Sequence, residues 1–266
     1  MKRTSLGTCV LLLGLLLGTS SSAHADAISI TSASVTNVQI VPTAGTLVFT
    51  TQSFPATLAN AVLTDGFDGP SNQSVSPTHA QASISLGFAS AAADSNFTNM
   101  SFSANSNVML SGCLCSWEAE GFASLRKNFM IVGGDGNVSV NVSGLLTTMQ
   151  TLMTDQFSLS AGSTILVGLR VFDASDFSTV HSFSFDSRVA IRPPTNSSTT
   201  EIERQLSELF TLQFNKEYGL SITVIANSRA AQSEVPEPAS VFLLVSGLGF
   251  AAGFVRKHRA IRRRKE

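Results

Sequence analysis

Thr179-Val180-His181-Ser182-Phe183-Ser184-Phe185-Asp186-Ser187-Arg188-Val189-Ala190-Ile191 decides the fold class of this chain. Phe183 and Phe185 alternate with Ser182, Ser184 and Asp186. A two-residue period gives a strand one apolar and one polar face, which is the pattern of a half-buried sheet. Residues 164–172 have the same character. Upstream, 28–31, 35–41, 46–51, 82–89 and 99–110 also read as strands rich in Ser, Thr, Asn and Val. In the last of these, Met100, Phe102 and Ala104 share one face and Ser101, Ser103 and Asn105 the other.

Two hairpins are predicted. Residues 128–132 and 138–142 flank Gly133-Gly134-Asp135-Gly136-Asn137, a glycine-rich turn signal, and residues 210–214 and 220–225 flank Asn215-Lys216-Glu217-Tyr218-Gly219. A short helix or turn is predicted at 201–209, where Thr200 and Glu203 have capping-box spacing and Ile202, Leu206 and Leu209 fall at helical intervals. Residues 65–78 and 192–199 read as long loops. Eight or more short strands with many turn residues predict an all-β protein, an antiparallel β-sandwich of jelly-roll-like type.

The ends of the chain are different. Met1 to Ala25 has the form of a secretory signal peptide, with Lys2 and Arg3, an apolar centre at 10–17, and Ala23-His24-Ala25 as the cleavage site. Its expected partners are the Sec translocon and signal peptidase. At the other end, Val235-Pro236-Glu237-Pro238-Ala239-Ser240 opens a segment with no charge from Ala239 to Val255. As a helix these residues span about 25 Å, the short end for a membrane crossing. Arg256, Lys257, Arg259, Arg262, Arg263, Arg264 and Lys265 follow, and such a cluster stays on the cytoplasmic side. The two prolines make residues 236–238 a stiff extended strip. The predicted organisation is signal peptide 1–25, exported body 26–227, linker 228–234, and a C-terminal segment 235–266 with its transmembrane helix at 239–255.

This C-terminal arrangement resembles the sorting signal of the PEP-CTERM protein family of exopolysaccharide-producing Gram-negative bacteria. The three features of that signal occur here in order, as Pro236-Glu237-Pro238, the apolar segment, and the arginine-rich end. The resemblance covers about the last 32 residues. It implies an exosortase as partner, transient residence in the inner membrane, and passage to the cell envelope, extracellular matrix or biofilm. It implies nothing residue by residue for the body.

Composition bounds the body's chemistry. Eight of the 17 cations and 16 of the 18 acids lie between Asp26 and Glu234, so the body carries a charge near −8. That argues against nucleic acid as a partner. Exopolysaccharide is left open as a partner by the family resemblance alone. Of three cysteines, Cys9 belongs to the leader; Cys113 and Cys115 could pair if a turn brings them together, or remain free. A metal on those two thiolates alone is weak, and Asp65 and Asp68, set among glycines, are a weak Ca²⁺ candidate against a plain Asp-Gly turn. Neither His79 nor His181 lies in a catalytic motif. Glu118 with Glu120, and Asp173 with Asp176, read as solvated carboxylates rather than an acid/base pair. The aromatic platforms that bind sugars usually use Trp or Tyr, and the chain has only Trp117 and Tyr218. The expected function is therefore structural or adhesive, with no catalytic residues or cofactor. The alternative is a polysaccharide-active enzyme or a sugar- or calcium-binding module carrying the same signal.

Overall fold

The computed structural model describes residues 26–50, 56–65, 69–111, 115–154, 159–192 and 197–232. These form two antiparallel sheets and, among the described residues, no helix. The six-stranded sheet contains β1 (Asp26–Pro42), β5 (His79–Leu86), β6 (Ala89–Asn96), β7 (Ser101–Ser111), β9 (Asn137–Thr154) and β12 (Ser197–Gln213). Its order is β12-β9-β1-β7-β6-β5. The second sheet contains β3 (Ala56–Thr64), β4 (Ser71–Ser76), β8 (Ser116–Val132), β10 (Leu159–Asp173), β11 (Thr179–Ile191) and β13 (Glu217–Gln232). These run in the order β11-β10-β13-β8-β3-β4, with the short β2 (Thr46–Phe49) pairing β8 off that path.

Alternation places the core. On β9, Val138, Val140, Val142, Leu146 and Leu152 are buried on one face, while Ser139, Asn141 and Ser143 lie on the other. Phe129, Phe102, Ile131 and Leu220 fill the wider part of the interior, each contributing about 1.5–3 kcal/mol by leaving water. The β3, β5, β6 and β8 region is lined instead by Ala59, Ala61, Ala80, Ala82, Ala91, Ala93, Ala119 and Ala123. Here the sheets come close: a Cβ on Gly121 of β8 would lie 2.4 Å from the Ala92 carbonyl oxygen of β6.

A second kind of contact joins the sheets through buried hydroxyls. Thr31 Oγ1 of β1 lies 2.6 Å from Ser163 Oγ of β10 and 2.7 Å from Ser228 Oγ of β13. Ser106 Oγ of β7 donates to Ser228 Oγ at 3.0 Å. Gln150 of β9 donates to Ser163 Oγ at 2.9 Å and accepts from Ser187 Oγ of β11 at 2.6 Å. A buried hydroxyl without a partner is costly, so small polar residues are admitted here because they satisfy one another.

Several expectations are corrected. Residues 201–209 belong to strand β12, not to a helix; Ile202 and Leu206 sit on one face of an edge strand, while Leu209 projects to solvent. Neither predicted hairpin pairs its own flanks. β8 and β9 lie in different sheets, as do β12 and β13, so both turns are arches that cross between layers. The arches support each other: Phe214 N donates to the Gly136 carbonyl at 3.0 Å, Asn215 N to that of Ile131 at 2.8 Å, and Asn215 Nδ2 to that of Gly134 at 3.0 Å. Positive φ at Gly133, Gly136 and Asn215 makes the reversals possible, but it does not decide whether the flanking strands pair. Residues 228–232, expected as linker, complete β13, and residues 71–76, expected as loop, form β4. Residues 82–89 divide between β5 and β6.

Candidate functional site

The outer face of the second sheet carries a cluster of cations and aromatic rings. Cross-strand register puts Arg170 of β10, Ser221 of β13 and Arg126 of β8 side by side in one row. In the adjacent row Phe172 pairs with Gly219. Any side chain at Gly219 would collide with the Phe172 ring, its Cβ falling 2.0 Å from Cζ. The ring can therefore lie across β13 toward β8. The Arg126 guanidinium carbon sits 5.0 Å from the Phe172 centroid and that of Arg170 5.4 Å from the same centroid. Both distances suit cation–π attraction.

The turn after β10 completes the cluster. Phe177 takes φ of 60° and is 54% exposed. Its ring lies 5.9 Å from that of Phe172 and 5.1 Å from the Arg126 guanidinium, and its carbonyl accepts a 2.6 Å bond from Arg170 Nη2. Asp173 holds the turn: its Oδ1 accepts from Ser175 N at 2.9 Å and Ser175 Oγ at 2.6 Å, and its Oδ2 pairs with Lys216. Those partners, Lys216 foremost, lower the Asp173 carboxyl to about 2. The bond from Ser178 likewise lowers Asp176, and the Asp173 contact raises Lys216. Arg126, Arg170, Phe172, Phe177 and Ser221 enclose a depression of about 310 Å³.

The other sequence candidates are placed apart from one another. Glu118 and Glu120 share the solvent face of β8, where Asn227 donates to Glu118. Asp173 and Asp176 are occupied in holding their own turn. Trp117 packs on Phe88 with centroids 4.6 Å apart. Tyr218 is buried, its hydroxyl accepting from Gln213 N at 3.0 Å. His79 lies 3.2 Å from Asp94 on an exposed edge. His181 stacks on Phe210 at 4.8 Å, and its Nε2, 3.6 Å from Glu208 Oε2, makes no hydrogen bond among the described residues. Asp65 is described and exposed, whereas Asp68 lies outside the described residues. Among the described residues no group of three acids, histidines or cysteines converges as a metal site. Cys115 is disulfide-bonded; Cys113 lies outside the described residues. So do Ala23 and Ala25, expected as the cleavage site, and the whole segment from Val235 to the basic tail.

No protein-family model matches the chain, and no curated protein matches it. Among solved structures, a mutant VP2 protein of infectious bursal disease virus in derived T=1 particles is 9% identical, covering 81% of this chain and 79% of that one, with a TM-score of 0.10. A second structure of infectious bursal virus derived T=1 particles is 10% identical, covering 79% of this chain and 65% of that one, with a TM-score of 0.09. Overlaps that weak carry no argument.

The arginine–phenylalanine cluster has no motif in the sequence. Arg126 and Arg170 are 44 positions apart, and only the strand register makes them neighbours. Phe177 offered one signal, an aromatic inside an otherwise polar turn.

Proposed function

We propose that this chain is an exported, non-enzymatic structural or adhesive protein of the cell envelope, extracellular matrix or biofilm. In this reading it leaves the inner membrane when an exosortase cuts near Pro236-Glu237-Pro238. The observation that carries it is the order of three features at one end of the sequence: the proline-bounded acidic strip, the uncharged segment 239–255, and seven cations within residues 256–265. A stiff strip next to an apolar helix can be read by a membrane enzyme, and the cations oppose translocation of the end.

The body supports this reading without deciding it. Sheet changes between β1 and β2, β4 and β5, β7 and β8, β8 and β9, β9 and β10, β11 and β12, and β12 and β13 favour the jelly-roll-like form of the sandwich. Asp173 and Asp176 accept bonds within their own turn and Glu118 accepts from the Asn227 amide, which fits a structural role for these three carboxylates.

The test is intact mass of the mature protein from cells with and without the processing enzyme. A species lacking both the leader and the cationic end is expected only when the enzyme is present. Recovery of the full-length chain from both strains overturns the reading.

A further inference from the structure

We propose that the depression between Arg126, Arg170, Phe172, Phe177 and Ser221 binds a carboxylate-bearing sugar, a hexuronate unit of an acidic polysaccharide. The inference stands on the surface of the sandwich and is independent of how the C-terminus is processed.

Charge gives the first argument. In a body near −8, two guanidiniums sit within 5.0 and 5.4 Å of a single ring centroid, with only Ser221 between them in the sheet. Two cations on neighbouring strands raise the local positive potential, and an anion that reaches both gains from each. Among the described residues no carboxylate comes within ion-pair distance of Arg170. The planar fork of a guanidinium matches a carboxylate in two parallel bonds.

Shape gives the second. Phe177 is a bulky residue at φ of 60° with 54% of its surface exposed. That conformation costs roughly 1–3 kcal/mol and gathers at functional positions. An exposed ring beside the cations offers an apolar face to the C–H side of a sugar, a contact that inorganic anions cannot use. The volume, about 310 Å³, lies at the small end of ligand sites and suits one ring with its carboxylate. Ser221 adds a hydroxyl at the floor.

The test is titration calorimetry of the full-length protein, held in a neutral detergent, with tri-galacturonate, maltotriose and inorganic phosphate. Saturable binding of tri-galacturonate alone is expected. Arg126→Gln and Arg170→Gln should each weaken it by about tenfold or more, the scale of one charge-assisted bond. Arg170→Lys, which keeps the charge but loses the fork, should also weaken it. Phe177→Ala should weaken it too, while Arg188→Gln, whose guanidinium is paired with Asp186 elsewhere on the protein, should leave it unchanged. Urea midpoints of the variants confirm that each remains folded. No heat with tri-galacturonate, equal binding of maltotriose, or unaltered affinity in both arginine-to-glutamine variants overturns the proposal. Phosphate binding as tightly as tri-galacturonate overturns the sugar assignment.

Discussion

Thr31 and Ser228 are 197 positions apart in the chain, yet their hydroxyl oxygens lie 2.7 Å apart in the interior. One comes from β1 and the other from β13, so this contact ties the first strand to the last across the two sheets. Both residues are buried, and each bonds further partners.

Thr31→Val keeps the shape but removes a hydroxyl that bridges Ser163 and Ser228. The remaining hydroxyls lose a partner in a dry environment, and a loss of about 1–3 kcal/mol is expected from urea unfolding. Changing Thr31→Val, Ser163→Ala and Ser228→Ala together should cost less than the sum of the three single changes, because fewer orphans remain. Additive losses would argue against a coupled network.

Gly121→Ala should be among the more damaging small changes. Its Cβ would meet the Ala92 carbonyl oxygen at 2.4 Å and the Asn105 carbonyl oxygen at 2.7 Å, and backbone cannot yield as a side-chain tip can. A loss of about 1–3 kcal/mol or more is expected. Gly168→Ala has open space around the new methyl and should be neutral or stabilising by about 0.4–1 kcal/mol. Both are read by thermal and urea unfolding.

Asp173 makes acid stability predictable in sign. Its carboxyl titrates near 2 in the folded chain against a usual 3.8, so ionisation favours the folded state. The contribution is complete above pH 3.8, declines as pH falls, and is gone once pH drops through about 2. Asp173→Asn should flatten the dependence of the urea midpoint on pH across that window. An unchanged slope would show that the Lys216 and Ser175 contacts do not persist in solution. Because Asp173 also anchors the turn that carries Phe177, Asp173→Asn should increase hydrogen exchange at Phe177 N, which donates to the Asp173 carbonyl at 2.9 Å.

Glu237→Gln tests the acidic strip. Under the proposed processing, export proceeds and tail removal stops, so intact mass is expected to show a chain without its leader but with Arg256 to Lys265 still attached. Normal trimming of this variant would mean that the charge of Glu237 is not what the enzyme reads.

Sheet character was legible because alternation is local: Phe183 with Ser184, and Val138 with Ser139, announce their faces within a few residues. What could not be read is which strands become neighbours. Gly133 to Asn137 has the composition of a hairpin turn, but the chain rotates through it into the other layer. Ile202 and Leu206 are four apart, an interval that suits a helix and also an even-numbered face of a strand. β6 and the alanine-rich β3 carry little strand signal because alanine is a weak strand former; here its small size lets the layers approach. Ser228 to Gln232 looked like spacer for the same reason. The cationic-aromatic cluster was hidden because it exists only through the pairing of β10, β13 and β8.

The position of β13 has a consequence for biogenesis. It is the last strand of the described residues, yet it lies between β10 and β8 in the middle of its layer. Until residues 217–232 have emerged, the earlier strands of that layer form two separate halves with open edges, each a template for wrong pairing. A chain made from its N-terminus must therefore wait with this layer unzipped until Gln232 arrives, and its open edges stay exposed for that whole interval.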